Sequence, residues 1–253
     1  MTLLLPTMKA EESMEIIRED VGSVRVLTLN RPDRLNVLDT VMFRALEKEL
    51  SETATDKNIS CVVLRGAGRS FCAGHDMTVF ERPDQDEHLN ARVVSQLAAM
   101  PQPTIAAIHG HCYTGGLELA LGCDILVASG SARLADTHAK FGLSPGWGLT
   151  ARLPQRVGYA RALEMMGTCR IYSAAEAKDM GLVSYVWEDE LFWDKVMEFA
   201  AGFGRNSAQS VQRAKTLLRA QTDLSAALDR EWVGQQRSDD SEERVIAFLS
   251  KGK

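Results

Sequence analysis

Apolar and polar side chains alternate most sharply over Val24-Arg25-Val26-Leu27-Thr28-Leu29, which predicts a β-strand. MEIIRED, from Met14, reads as its partner across the tight turn Val21-Gly22-Ser23. A turn-rich loop, NRPDRLNVLD, follows. The period then becomes helical from about Val41 to Thr55, with Met42, Phe43, Leu46 and Leu50 on one face and Asp39 or Thr40 placed to cap. Cys61–Arg65 is a short apolar strand that runs into Gly66-Ala67-Gly68-Arg69-Ser70-Phe71. A second helix spans about Glu87 to Met100 and stops at Pro101; Thr104–Gly110 is again a strand. A third helix opens in Gly115-Gly116-Leu117-Glu118, and Cys123–Ala128 is a further strand.

Strand, loop and helix thus recur at spacings of about 40 residues, without a repeated sequence. The alternation of strands and helices predicts an α/β fold. From Ser173 the composition changes. Ser173–Ala177 is a capped helix start ending near Gly181, and Leu182–Val186 is a last strand. Three segments result: a flexible N-terminal tail over 1–13, a core over 14–189, and a C-terminal helical region over 190–253 that carries part of a subunit interface.

Composition narrows the function classes. The chain has 253 residues, 45% of them apolar and 25% charged, with a net charge of -5. Mild acidity without a Lys/Arg block gives no electrostatic footprint for nucleic acid or an anionic membrane. No stretch reaches the roughly 18 uninterrupted apolar residues of a membrane helix, and the N-terminus is too short in apolar run for a signal peptide. The five cysteines are scattered with no CxxC pair. They read as reduced core thiols of a cytoplasmic protein, and no metal site is expected from them.

Two loops carry candidate chemistry. Phe71-Cys72-Ala73-Gly74-His75-Asp76-Met77 follows a strand and its glycine-bearing loop; Tyr113-Thr114-Gly115-Gly116-Leu117-Glu118 follows a strand and opens a helix. Glycine allows a backbone to approach a ligand closely, and the first N–H groups of a helix lack internal partners. Both features suit an oxyanion. Taken singly, each loop is an ordinary turn, and neither fits the GxxxxGK[ST] or GxGxxG phosphate patterns.

Taken together and in order, they resemble the crotonase, or enoyl-CoA hydratase/isomerase, family. FCAGHDM resembles its AGxD loop, and AAIHGHCYTGGLELALGCDILVAS its glycine-rich segment with the helix and strand after it. FGLSPGWGLTARLPQRVG, SAAEAKDMGLVSYV and NRPDRLNVLD are similar to three further family motifs, so the likeness runs from residue 14 to 250. The resemblance implies a crotonase-like spiral of repeated ββα units with a C-terminal helical region, assembled as a homotrimer or homohexamer. It implies an acyl-CoA thioester substrate and no separate cofactor, coenzyme A being part of the substrate. The thioester oxygen would lie between the backbone N–H groups of His75 and Gly115. Arg34, Leu35, Ala73, Asp76, Met77 and Gly116 would serve substrate or coenzyme A binding. The activity implied is hydration of a trans-2-enoyl-CoA to a 3-hydroxyacyl-CoA, with Δ3,Δ2-enoyl-CoA isomerisation by Glu118 alone or non-catalytic acyl-CoA binding as the alternatives.

Glu118 lies three residues after Gly115 among Leu117, Leu119, Ala120 and Leu121. A glutamate in an apolar cleft has a raised pKa and serves as an acid or base near neutrality; on a solvent-facing helix surface it would do neither. It matches one of two glutamates of hydratases in this family. The position of the second holds His138, within Ala135–Gly142, which reads as a short helix capped by Asp136 or Thr137 and closed at Gly142. In a first turn the dipole disfavours an imidazolium, so a neutral His138 is expected, either handling a proton or packing in the pocket. Asp136 is a further candidate acid, with the cap as its alternative role. Trp147, near the same pocket, shapes the acyl site or packs.

Overall fold

Central strands of a parallel sheet are buried on both faces and carry near-continuous apolar runs. The computed structural model describes residues 15–78, 86, 88–219 and 239–250; the expected tail over 1–13 lies outside the described residues. β1 (Ile16–Val21) and β2 (Val24–Leu29) form an antiparallel hairpin. Parallel strands β3 (Cys61–Gly66) and β4 (Thr104–Ile108) extend it. β5 is His111–Tyr113. β6 (Ile125–Ser129) pairs in parallel with β4, β7 is Arg133–Ala135 and β8 is Tyr172–Ser173. β9 (Tyr185–Trp187) then closes a sheet ordered β1-β2-β3-β4-β6-β9. Every residue of β4 is buried, whereas edge strand β1 buries only Ile16. Arg25 is buried inside β2 because its guanidinium donates to Asp20 at 2.7 and 2.8 Å and to Asp56 at 2.9 Å.

A second, three-stranded sheet, β5-β7-β8, runs beside the first. Isolated bridges continue its line through earlier parts of the chain, Cys72 pairing with Cys112 and Leu38 with His75. Each large-sheet strand is therefore followed by a short extended piece and then a helix. β2 leads through Leu38 to α1 (Thr40–Thr55), and β3 through Cys72 and His75 to α2 (Leu89–Ala99). β4 leads through β5 to α3 (Gly115–Leu121), and β6 through β7 to α4 (Leu149–Val157) and α5 (Tyr159–Thr168). These are the expected ββα coils. The short second strands are not predicted by the pattern, because three residues are too few to display alternation.

Helices α1 and α2 bury Met42, Phe43, Leu46, Leu50, Val93 and Leu97 in the main core. Of the two expected caps, Asp39 is the one that caps α1, its carboxylate accepting from the Met42 N–H at 2.9 Å. Ser173 caps α6 (Ala174–Asp179) in a reciprocal box with Glu176. The C-terminal region packs on the core. Its first helix, α7 (Phe192–Gly204), lays Phe192, Val196 and Ala200 against Val24, Val63, Ile105 and Val127, covering the other face of the large sheet. The next, α8 (Ala208–Arg219), is tied down by Lys215 and Arg219, which pair with Asp124 at 2.7 and 2.8 Å. A further helix spans Ser241–Ser250.

All five cysteines are buried and free. Burial pushes the Cys61, Cys72 and Cys123 thiols up to about 12, so they stay protonated. No helix among the described residues is long and apolar enough to cross a membrane.

Candidate active site

The two glycine-bearing loops meet. Phe71 and Cys72 donate their N–H groups to His109 and His111, at 2.7 and 2.9 Å. Gly74, at a φ of 120° that favours glycine, then turns the chain toward the preceding coil. There Leu38 donates to the Gly74 carbonyl and accepts from the Asp76 N–H, both at 2.8 Å. In a parallel bridge these bonds use the groups on either side of His75, so the His75 N–H points away from Leu38. On that side lies Gly115. A Cβ added to Gly115 would sit 3.3 Å from the His75 nitrogen and 2.4 Å from the Trp147 ring, so only glycine fits between them. Gly115 opens α3, where an N–H has no acceptor within the helix.

Thr114, just ahead, has φ 53° and ψ -110°, a strained combination for a β-branched residue. It is held there by its N–H on the Ala135 carbonyl at 2.9 Å and by its hydroxyl against that of Thr137 at 2.5 Å. The loop after β7 is thereby fastened to the loop before α3.

One turn into α3, Glu118 is 1% exposed. Its Oε1 accepts from the backbone N–H of Trp147 at 2.7 Å and of Leu149 at 3.2 Å. Its Oε2 lies 3.6 Å from His138 Nε2. Burial raises the Glu118 pKa; the Trp147 N–H and His138 oppose that rise without cancelling it. Asp136 Oδ1 sits 2.5 Å from His138 Nδ1. Burial disfavours the imidazolium, but the Asp136 carboxylate and the charge of Glu118 outweigh it and raise the His138 pKa.

This shift runs opposite to the one expected from a helix dipole, which would disfavour the imidazolium. His138 opens a single 3-10 turn, His138–Phe141, whose N-cap, Thr137, makes no side-chain bond; Gly142 closes it at φ 65° as predicted. So short a turn aligns few peptide dipoles, and the carboxylate in contact outweighs them. Asp136 accepts the first N–H of that turn, from His138 at 3.3 Å, and with the same oxygen meets the ring.

Glu118 and His138 line a cavity of about 500 Å³ with Ala73, His75, Met77, Thr114, Gly115 and Trp147. Tyr113, Phe141, Leu143 and Val37 add apolar wall, and Asn90 a polar group that no sequence pattern marked. The Trp147 ring packs edge-on against Phe43 and His75, with centroids 5.1 and 5.6 Å apart. Burial holds the His75 imidazole below its usual pKa. A larger hollow of about 890 Å³ lies beside Arg152, Arg156 and Arg219, but Arg219 pairs with Asp124 and Arg156 donates to the Cys123 and Asp124 carbonyls.

Four other expected binding residues do not line the 500 Å³ cavity. Gly116 packs on Cys72, whose carbonyl oxygen would lie 2.3 Å from an added Cβ. Leu35, at φ 52°, offers its carbonyl to the Ala73 N–H at 3.0 Å. Asp76 is 4% exposed and committed within the protein, taking Arg31 at 3.0 Å, Arg34 at 2.9 Å and both donors of Thr78 at 3.0 and 2.7 Å. Arg34 is the exposed partner of that carboxylate.

Burial alone would raise the Asp76 pKa, but the Thr78 bonds and Arg31 bring it down to about 2. Its ionisation therefore stabilises the fold above the unfolded value of about 4 and loses that effect as pH falls toward the folded value. Asp76→Asn is expected to destabilise by about 2 kcal/mol at neutral pH. In urea unfolding the gap between parent and variant should narrow as pH falls below about 4; a gap constant with pH would contradict the assignment.

Comparison with known proteins gives one answer. A family model described as enoyl-CoA hydratase/isomerase matches residues 19–253. An Arabidopsis thaliana protein named "Probable enoyl-CoA hydratase 1, peroxisomal" is 36% identical over 226 residues, covering 87% of this chain and 84% of its own length. A peroxisomal Delta(3,5)-Delta(2,4)-dienoyl-CoA isomerase of the same plant is 34% identical, covering 98% of each chain. The crystal structure of an enoyl-CoA hydratase from Bacillus anthracis superposes with a TM-score of 0.89 at 32% identity, covering 94% of this chain and 96% of the other.

Proposed function

The chain belongs to the enoyl-CoA hydratase/isomerase family, and from that membership and the geometry of its cavity we propose that it hydrates trans-2-enoyl-CoA thioesters to 3-hydroxyacyl-CoA. The observation that carries the reading is the placement of Glu118 and His138 in the same cavity as the adjacent His75 and Gly115 amides. Addition of water to the conjugated alkene builds negative charge on the thioester oxygen. Two N–H donors fixed beside that oxygen lower the barrier by several kcal/mol. Hydration also moves two protons, one off water and one onto the α-carbon, and Glu118 with His138 supplies two groups for them. Water is the only co-reactant, and coenzyme A enters as part of the substrate. Arg34, exposed on the loop behind Ala73, would meet the coenzyme with its remaining donors.

Isomerisation of a 3-enoyl-CoA is the second reading. It requires one carboxylate that removes and returns a proton, and Glu118 is the one carboxylate among the described lining residues. In crotonyl-CoA, loss of the 2-enoyl thioester absorbance is expected; with a 3-enoyl-CoA, a gain would identify an isomerase. Thioester binding with neither change would leave a binder and end both catalytic readings. We place the enzyme in the cytoplasm as a homotrimer or homohexamer, its C-terminal helices forming part of the contact; Leu218, 68% exposed on α8, suits that use.

A further inference from the structure

Asp136 is 1% exposed, one residue beyond β7. Its Oδ1 receives the His138 backbone N–H at 3.3 Å and meets the ring at Nδ1; its Oδ2 is buried with no hydrogen-bond partner. A buried carboxylate with one bare oxygen is costly unless a positive charge sits against it. The basic group paired with it among the described residues is the His138 ring. With Nδ1 committed to Asp136, the nitrogen that faces the cavity is Nε2, 3.6 Å from Glu118. The charged groups facing the ring are thus Asp136 from the end of β7 and Glu118 from α3. Lys140 of the same turn is exposed, and His75 belongs to the loop before α2.

We infer that Asp136 is a positioning residue: it fixes the His138 ring through Nδ1–H and keeps the one transferable proton of the His138–Glu118 pair on Nε2. The inference rests on the proposed roles of Glu118 and His138 and assigns each a direction. Glu118, the carboxylate, takes a proton from water as the water oxygen bonds to the β-carbon. His138 gives its Nε2 proton to the α-carbon as the alkene π bond is consumed. The cycle leaves a neutral imidazole and a protonated Glu118, and transfer of that proton from Oε2 to Nε2 restores the starting state. Protons balance without any further reactant. Asp136 itself touches no reacting atom.

The test is a titration of the full chain labelled with ring-15N histidine, the His138 signal being identified by its loss in His138→Gln. In the parent, Nδ1 and Nε2 of His138 should both be protonated at pH 7, with a midpoint above that of an ordinary histidine. Asp136→Asn should lower that midpoint by at least about one pH unit, the lower end of what an opposite charge in contact produces. The alkaline limb of kcat for crotonyl-CoA hydration should move down with it, while KM changes little. An unmoved His138 midpoint in folded Asp136→Asn overturns the inference, as does a shifted midpoint with an unmoved kcat limb. Should the variant fail to fold, the parent spectrum still decides, because a bare Nε2 at pH 7 refutes the assignment. Should the parent lack hydratase activity, the proposed function fails on its own while the titration still tests the hold of Asp136 on the ring.

Discussion

Glu118→Gln is expected to cut turnover by about 10³-fold or more, whichever of the two reactions the enzyme runs, and to leave thioester binding within a few-fold of the parent. The contrast follows from how the carboxylate is held. Oε1 accepts from the Trp147 and Leu149 amides, and a glutamine oxygen can accept both bonds, so the cavity wall keeps its shape. Oε2, the atom toward His138, becomes an amide nitrogen that cannot take a proton. Glu118→Ala would confuse the result, since it leaves two buried N–H groups without an acceptor. Turnover assayed alongside calorimetric binding of the thioester checks the expectation, and unchanged turnover would remove Glu118 from the mechanism.

Gly115→Ala is expected to lower turnover by roughly 10²–10³-fold, the range seen when one donor of an oxyanion site is lost. The added methyl group would enter the gap between the Trp147 ring and the His75 nitrogen. Phe43 and His75 brace that ring, so it cannot swing aside freely. The backbone itself is helical at this position, and alanine is a better helix former than glycine by about 1 kcal/mol. That gain partly offsets the cost of overpacking against the ring, so folding should survive while activity does not. A melting temperature within a few degrees of the parent together with collapsed activity is the expected pair of results; full activity would show that the thioester oxygen lies elsewhere.

Much of the frame is legible in the sequence because its patterns are long. The Met42, Phe43, Leu46, Leu50 stripe and its Asp39 cap predict α1 almost to the residue. The runs at Cys61 and Thr104 predict the central strands. What the pattern hides is short or depends on distant pairing. β5 and β7 exist because Cys112 and Leu134 sit opposite one another in register, and nothing local announces it. Helix α7 shows an apolar face to any reader, but that the face covers the large sheet is a property of the folded chain.

The site divides in the same way. Gly115 and Glu118 are legible through their spacing on one helix, and the AGHD loop through its place after a strand. Asp136 is visible only as an acidic residue near a helix start, where capping is the ordinary use. That its carboxylate also meets an imidazole two residues on is settled by the backbone after β7, which Thr114 and Thr137 hold in place. The upward shift of the His138 pKa has the same origin: a contact at 2.5 Å outweighs the weak dipole of a single turn.

The bridge from Leu38 to His75 has a wider consequence. One amide of the proposed pair is moored to the coil before it, and the other begins the helix of the coil after it. Their separation is then set largely by the pitch of the winding. A substitution buried between successive windings could open or shut that gap like the jaws of a calliper, changing the rate while every residue around the ligand stays the same.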